Sequence, residues 1–472
     1  MIKTQPTPTS TSILVALAAA AMAASLGVSI ASVLLPKLTL VFSATVSNVK
    51  WVVLIYLMFA TIAVVPAGRL GDLYGHRRVL TAGLVGFVGA SILCAAAPNL
   101  NVLIAGRALQ GAGGGVLIAL PMSMARDHVS TDRLGTAMGL LGTTSALGTA
   151  LGPSLGGVLL AWGDWRMSFW ALAGFGALAL VLCATAIPRN SKRSAPALKD
   201  LDVPGTFVLV FALAAFALAT SGGVSGIPLH PIVLCAASVA GFILFVIVEL
   251  RTSAPLVSMQ LLADRKTGVG FATNMLIGTV MMSTLVVGPF FLAFSLGLNE
   301  ALIGFVLATG PAVAALFGVP AGRLTDRIGA NRALLIGLVQ TVLGLLCLAF
   351  LPRMFGAGGY ILALVMLTPA FQLFLAANNT IVLVDADTDQ RGRLSGLLGL
   401  SRNLGLMTGV SAMPTVFVTV LGTGDVSLAA VPDVSHAFST SLVVAAGLAT
   451  VALGLAIYSG VARPQGACAV AE

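Results

Sequence analysis

Two arginines stand inside long apolar segments of the sequence, where a charged side chain is rare. Arg107 lies in the segment 101–125 and Arg402 lies in the segment 394–419. An ionisable side chain at membrane depth is costly and usually marks a binding or transport site. A guanidinium group presents a rigid fork of donors that fits an anionic or acceptor-rich partner. These two arginines are therefore the first functional candidates, Arg107 for ligand chemistry and Arg402 for packing or gating.

Acidic residues are missing from the same apolar segments. All sixteen Asp and Glu residues fall in loops, in tails or at segment ends. A buried carboxylate with a raised pKa is the natural proton carrier and the natural partner of a cationic ligand. Its absence at membrane depth favours a ligand that is neutral or anionic.

Signatures of enzyme catalysis are absent from the sequence. There is no HExxH motif, and no lysine follows a glycine as the Walker motif requires. The stretch 152–156 matches the hydrolase pattern GxSxG, but it lies inside an apolar segment rather than at a strand-to-helix turn. We therefore predict that the protein is not an enzyme and that it holds neither a cofactor nor a metal.

The elements that must position these side chains are membrane helices. Of the 472 residues, 58% are hydrophobic and 9% are charged, and the mean hydropathy is +1.03, whereas about a quarter of the residues of a soluble protein are charged. Fourteen apolar segments can each supply a membrane crossing. We predict an all-α polytopic membrane protein of fourteen spans, whose surroundings are the lipid bilayer. The basic residues are scattered between segments, which argues against binding to nucleic acid.

The basic residues are distributed unequally between the two sides of the predicted membrane. With the N-terminus in the cytoplasm, nineteen of the 25 Lys and Arg residues fall in cytoplasmic segments, and four fall in outer loops: Lys37, Lys50, Arg166 and Arg353. Cytoplasmic loops normally carry this excess of positive charge. The sequence therefore predicts a multi-pass protein of the cytoplasmic (inner) membrane, with both termini on the cytoplasmic side.

A sixteen-residue stretch occurs twice. VPAGRLGDLYGHRRVL at 65–80 returns as VPAGRLTDRIGANRAL at 319–334, an offset of 254 residues. The copies follow spans 2 and 10, so the offset is six spans plus two inserted ones, as expected of a transporter built from two similar halves. We predict a six-helix bundle over 1–188, a cytoplasmic linker over 189–203, two inserted spans and the following loop over 204–266, and a second six-helix bundle with the tail over 267–472.

Three glycines in span 5 share one helical face. Gly148, Gly152 and Gly156 are spaced four residues apart, which lets another helix approach closely. Pro153 removes a backbone donor in the same stretch and favours a bend. We expect a tight helix contact along this face.

These features together resemble the major facilitator superfamily, and most of all its fourteen-span branch of drug:proton antiporters. The first repeat copy is similar to the superfamily's loop signature, and GTALGPSLGG at 148–157 is similar to the branch's antiporter signature. The resemblance implies two six-helix bundles that alternate about a central site. It implies a conformational switch, to which we assign Gly68, Asp72, Gly75, Arg77, Asp326, Gly152, Pro153 and Arg402. For the two aspartates, a solvated loop charge that only orients the span is the alternative.

The same resemblance implies that spans 1, 4, 9 and 12 line the cavity. Polar residues near the middle of these spans form the predicted substrate site: Arg107, Ser29, Ser32, Gln110, Asn274 and Gln372. For all of them except Arg107, a satisfied polar contact between helices is an equal alternative.

One departure from the family concerns span 1. Gly27 stands where an aspartate is usual, at a depth close to that of Arg107. Arg107 therefore lacks its nearest plausible counter-charge and must find carbonyl groups, water or an acceptor-rich ligand.

The predicted function is secondary transport of a small organic solute by alternating access. The charges favour a neutral or anionic heterocyclic nutrient, for example a vitamin such as riboflavin. Because the antiporter signature is intact, a proton-coupled multidrug efflux antiporter is the alternative. We expect a monomer, with protons or another ion as coupling partners, while the sequence leaves the direction of transport open.

Overall fold

The computed structural model of the protein contains helices and no strands in the residues that it describes, which are 10–128, 131–188, 203–220, 231–252, 264–383 and 388–459. The predicted all-helical fold class is confirmed for this part of the chain. Most of the predicted linker 189–203 lies outside it. The α-helices are α1 (Ser10–Val41), α2 (Val46–Val49), α3 (Trp51–Tyr74), α4 (His76–Ala95), α5 (Leu100–His128), α6 (Thr131–Trp162), α7 (Arg166–Ala186), α8 (Val203–Thr220), α9 (Pro231–Arg251), α10 (Arg265–Phe290), α11 (Glu300–Ile328), α12 (Ala330–Leu383), α13 (Thr388–Leu421) and α14 (Val431–Tyr458).

Eleven of the described helical stretches are long and apolar enough to cross a membrane. One of them, α12, has 54 residues and would be roughly 81 Å long, more than twice the roughly 30 Å of a hydrocarbon core. It is broken at Gly356, where φ is 56° and ψ is −136°, so it supplies two crossings. Shorter apolar stretches occur in α6 and α8, at Leu147–Trp162 and Pro204–Phe216. The count of fourteen spans stays a prediction.

The helices form two bundles with matching contacts. In the first bundle α1 packs against α6 and α7, and α3 and α4 pack against α5. In the second, α10 packs against α13 and α14, and α11 and α14 pack against α12. Helices α8 and α9 pair with each other, and α8 contacts both α3 and α13. Leu209 and Leu213 of α8 belong to a buried apolar cluster with Phe271 and Leu397 of the second bundle.

The two copies of the sequence repeat form the same turn. Gly75 separates α3 from α4 with φ 92° and ψ 124°, and Gly329 separates α11 from α12 with φ 85° and ψ 143°. A side chain at either φ would clash with its own backbone, so these turns require glycine. The repeat therefore sets the sharp connection between consecutive helices in both bundles.

We expect Gly329→Ala to destabilise the protein by about 1–3 kcal/mol, the usual strain of a non-glycine residue in this backbone region. The matched control is Gly322→Ala, seven residues earlier and inside α11, where an added Cβ meets no atom within 4 Å. That control should be neutral or stabilising by up to about 1 kcal/mol, because alanine favours helix. Thermal unfolding of the two purified variants in detergent tests the difference, and equal melting temperatures would contradict it.

Polar contacts join the two bundles at one end of the molecule, which we call the Lys37 end. Lys37 Nζ lies 3.2 Å from Glu300 Oε1. Lys50, at the junction of α2 and α3, donates to the carbonyl oxygen of Ser411 at 3.2 Å and to Thr415 Oγ1 at 3.0 Å. The sequence placed Lys50 in an outer loop, whereas its side chain is fully buried between the bundles. These polar contacts hold the Lys37 end closed.

Helices α6 and α11 touch at the Lys37 end and then diverge. A Cβ on Gly304 would lie 2.9 Å from the Cα atom of Gly157, so the two backbones are in direct contact. Gly318 lies on the same face of α11, fourteen residues later. A Cβ there would meet only Gln372 Oε1, at 4.0 Å, and one on Gly322 would meet nothing within 4 Å. The bundles therefore separate towards the end opposite Lys37.

Candidate functional site

A cavity of about 140 Å³, open to solvent on one side, lies where the two bundles begin to separate. The first bundle contributes Thr149 of α6, and the other lining residues belong to the second bundle. The full lining is Thr149, Met281, Thr284, Leu285, Leu307, Gly310, Pro311, Ala314, Tyr360, Leu364, Thr368, Phe371, Gln372 and Arg402.

Three of the polar lining residues already use their hydroxyl groups within the protein. Thr149 donates to the carbonyl oxygen of Ser145 and Thr284 to that of Met281, each within its own helix. Tyr360 donates to the carbonyl oxygen of Thr284 at 3.4 Å. These groups add little capacity for a ligand.

The remaining polar groups of the lining are Arg402, Gln372 and Thr368. None of the three makes a side-chain hydrogen bond or an ion pair within the part of the chain that the structure describes. Arg402 lies about 21 Å along α13 from the first residue of that helix. It is nevertheless exposed, because its side chain faces the cavity. The cavity thus presents one cation, one amide and one hydroxyl on an apolar wall.

The backbone of α13 is held in place beside Arg402 by contact with α10. A Cβ on Gly278 of α10 would lie 2.9 Å from the carbonyl oxygen of Arg402, and a Cβ on Gly405 would overlap the carbonyl group of Met275. Ser401 donates to the carbonyl oxygen of Phe271 at 2.6 Å. One face of α13 is therefore fixed against α10, which leaves the Arg402 side chain on the cavity side.

Arg107 lies in a different environment, inside the first bundle. Its Nε donates to the carbonyl oxygen of Val52 at 2.7 Å, and its Nη1 donates to that of Gly27 at 2.8 Å and to Gln110 Oε1. Its guanidinium carbon lies 4.2 Å from the ring centre of Tyr56. The side chain is fully buried and does not line the cavity. The expected proximity of Arg107 to Gly27 is confirmed, and the acceptors are carbonyl groups.

The other predicted substrate residues fall into two groups. Gln372 lines the cavity. The other four are buried and hydrogen-bonded within the protein: Ser29, Ser32, Gln110 and Asn274. Ser29 donates to the carbonyl oxygen of Gly148 at 3.3 Å, and Ser32 donates to that of Ser29 at 2.7 Å. Gln110 donates to Ser91 Oγ at 2.7 Å, and Asn274 donates to the carbonyl oxygen of Leu398 at 2.8 Å. For these four residues the geometry matches the alternative of a satisfied helix contact.

The glycine face of span 5 lies against α1. A Cβ on Gly148 would lie 2.9 Å from the carbonyl oxygen of Met22, and one on Gly156 would lie 2.7 Å from Val33 Cγ1. A Cβ on Gly152 would overlap Ser29 Oγ. Pro153 lies within α6, and its carbonyl oxygen faces Gly304 of α11. The expected close helix contact is thus present along α1.

The remaining switch residues lie at the end opposite Lys37. Arg77 Nη2 donates to the carbonyl oxygen of Ala184 at 2.8 Å. Gly68 has open space around it, and Asp326 is exposed. The side chain of Asp72 lies outside the described part of the structure. The switch role of these residues stays a prediction.

Sequence reasoning missed Thr368 and placed Arg402 among the switch residues. Thr368 lies four residues before Gln372, so both fall on one face of α12. Among the described acids, Glu249 is buried at the end of α9, and none lines the cavity.

The model of the Major Facilitator Superfamily matches residues 17–410, and a second match covers 269–467. The chain therefore belongs to the Major Facilitator Superfamily, and it is a multi-pass membrane transporter. This assignment agrees with the two bundles and the cavity between them.

Similar curated proteins carry different functions. The uncharacterized transporter YebQ of Escherichia coli is 29% identical, covering 82% of this chain and 85% of the relative. The multidrug resistance protein Stp of Mycobacterium tuberculosis is 26% identical, covering 84% and 74%. The riboflavin transporter RibZ of Clostridioides difficile is 25% identical, covering 84% and 86%. At these identities the substrate stays unresolved.

Solved structures share the fold. A bacterial homologue of the human lysosomal transporter Spinster, in an inward-facing and unoccupied conformation, superposes with a TM-score of 0.72 at 15% identity and covers 97% of both chains. The human organic anion transporter MFSD10 superposes with a TM-score of 0.60 at 16% identity, covering 95% of this chain and all of that one.

Proposed function

We propose that the protein is a secondary transporter whose solute carries an anionic or acceptor-rich group and binds in the cavity between the bundles. Arg402 binds that group, Gln372 and Thr368 supply further hydrogen bonds, and the apolar wall contacts the body of the solute. The observation that carries the proposal is the Arg402 guanidinium, which faces the cavity with no hydrogen-bond partner or counter-ion among the described residues.

The sign of the charge decides the solute class. At an effective dielectric constant of 20, two unit charges about 4 Å apart interact with about 4 kcal/mol. A cationic solute beside Arg402 would be repelled by about this amount, and an anionic one would be attracted. A heterocyclic nutrient with several carbonyl oxygens, for example a vitamin such as riboflavin, also fits, because it offers acceptors without a positive charge. The relative RibZ is a riboflavin transporter.

The proposed orientation follows the distribution of basic residues. Both termini lie in the cytoplasm, so the Lys37 end faces outwards and the cavity opens to the cytoplasm. The eleven candidate spans, the second crossing within α12 and the shorter helices α6 and α8 together supply the fourteen spans of this arrangement. Alternating access then requires the Lys37 end to open and the opposite end to close.

A charge series on one ring system tests the proposal. We expect purified protein in detergent to bind 1-naphthalenesulfonate most tightly, 1-naphthalenesulfonamide less tightly, and (1-naphthylmethyl)trimethylammonium at least about tenfold more weakly than the sulfonate, a difference of about 1.4 kcal/mol. Because the three probes share the naphthalene ring, the comparison isolates charge. Equilibrium binding measured by naphthalene fluorescence gives the order, and tightest binding of the cation would contradict the proposal.

The alternative is a proton-coupled multidrug efflux antiporter. It is supported by the relative Stp, a multidrug resistance protein, and by the glycine face of α6, which resembles an antiporter signature and packs closely on α1. This alternative predicts tightest binding of the cationic probe in the same series.

A further inference from the structure

We propose that the protein is an obligatory exchanger of organic anions, which changes between its two open states only with an anion bound at Arg402. The inference rests on the proposed function, because it takes the cavity at Arg402 as the substrate site. It adds a mode of transport: a counter-solute on the opposite side becomes necessary for turnover.

The empty cavity carries a net positive charge. An arginine side chain stays protonated at every physiological pH. Two described acids at the Lys37 end are paired with other cations, Glu300 with Lys37 and Asp164 with Arg166. None of the described acids lines the cavity.

Arg107 in the first bundle shows which hydrogen-bond partners surround a buried arginine in this protein. Arg107 is fully buried, and it reaches that state with two carbonyl oxygens, one amide oxygen and the ring of Tyr56 around it. Arg402 has none of these hydrogen bonds and remains exposed to the cavity. Its solvation therefore depends on water or a ligand that enters the cavity.

Alternating access passes through a state in which both ends of the cavity are closed. The Lys37 end is already closed by Lys50 and by the contact of Gly157 with Gly304, so this state is reached when the opposite end closes. Removing water from a guanidinium without a partner is strongly unfavourable, whereas a hydrogen-bonded ion pair loses much less. Arg107 is buried with three oxygen acceptors and an aromatic ring, whereas Gln372 and Thr368 could offer two oxygens, and neither is hydrogen-bonded to Arg402 in the described part of the structure. The empty carrier is therefore held in its open states, and the loaded carrier can close.

Charge balance follows directly. One monovalent anion moves inwards for each monovalent anion that moves outwards, so no net charge crosses the membrane. No proton is bound or released, which agrees with the lack of a carboxylate in the described cavity lining.

Counterflow in proteoliposomes tests the inference with radiolabelled 1-naphthalenesulfonate as the probe. We expect uptake into vesicles preloaded with unlabelled 1-naphthalenesulfonate to be at least about tenfold faster than into vesicles that hold sucrose and no organic anion, because the return of the empty carrier is blocked. An imposed membrane potential or pH gradient should leave the exchange rate unchanged. Equal saturable uptake into both kinds of vesicle would overturn obligatory exchange while leaving the proposed function intact. A lack of saturable uptake in either would instead contradict the proposed function.

Two variants distinguish the effect of the Arg402 charge on exchange from a general loss of affinity for the probe. Gln372→Ala keeps Arg402, so its uptake should need more probe, while the ratio of uptake into preloaded vesicles to uptake into sucrose vesicles stays at the wild-type value. Arg402→Gln removes the charge that blocks closure, so at saturating probe its ratio should fall to about one. A wild-type ratio in Arg402→Gln, or a ratio of one in Gln372→Ala, would show that Arg402 does not impose exchange.

Discussion

Replacing Arg402 with glutamine is expected to weaken binding of 1-naphthalenesulfonate about 100-fold, close to 3 kcal/mol, the upper range for hydrogen bonds to a charged group. The melting temperature should change little, because Arg402 makes no hydrogen bond or ion pair with the residues that the structure describes. The combination of lost binding with retained stability is the distinguishing result. Fluorescence titration and thermal unfolding of the same preparation measure both quantities.

The matched control for this variant is Arg353→Gln. Arg353 lies on α12, the helix that carries Gln372 and Thr368, but it is exposed near Gly356 and donates to the carbonyl oxygen of Ser435 at 3.0 Å. Its replacement should leave binding of the sulfonate unchanged. Wild-type affinity in Arg402→Gln would remove Arg402 from the proposed site.

Replacing Arg107 with alanine should have the opposite effect, a large loss of stability. The change removes three hydrogen bonds in a fully buried cluster and leaves their acceptors at Val52, Gly27 and Gln110 without this donor. Leaving a buried polar group without its hydrogen-bond partner typically costs about 1–3 kcal/mol, and the same change also empties the space that the side chain fills. We expect a low yield of folded protein and a strongly lowered melting temperature.

Arg166→Ala is the matched control for Arg107. Arg166 also combines a carbonyl acceptor, a side-chain acceptor and an aromatic ring: Ala97 at 3.0 Å, Asp164 at 2.7 Å and Trp165 at 4.4 Å. Its ion pair is partly exposed, and pairs of this kind are worth about 0–1 kcal/mol. A stable Arg107→Ala protein that has lost binding would instead support the substrate role predicted from the sequence.

The helices and their main contacts could be predicted from the sequence, because they depend on local residue types and on regular spacing. Long apolar segments specify helices, and the repeat identifies two equivalent turns at Gly75 and Gly329. The spacing of Gly148, Gly152 and Gly156 indicated a close helix contact, which the structure contains along α1. These predictions needed only residue types and their spacing.

The candidate site was harder to predict, because the partners of Arg107 are main-chain carbonyl groups. The sequence showed that Arg107 lacks an acid, but carbonyl oxygens occur at every residue and carry no signal in the sequence. Whether an arginine faces a neighbouring backbone or a cavity depends on the rotation of its helix. That rotation is set at Arg402 by the contacts of Gly278 and Gly405 between α10 and α13. Gln372 was predicted to face the cavity, and Thr368 follows from it by helical spacing.

The contact between Gly157 and Gly304 bears on how fast the transporter can work. Because the two backbones touch directly, no side chain has to change rotamer when α6 and α11 part at this point. Opening of the Lys37 end then has to separate this backbone contact and the polar contacts of Lys37 and Lys50, which can re-form with water. A bulky residue at either glycine would act as a wedge and would slow every cycle, whatever the solute.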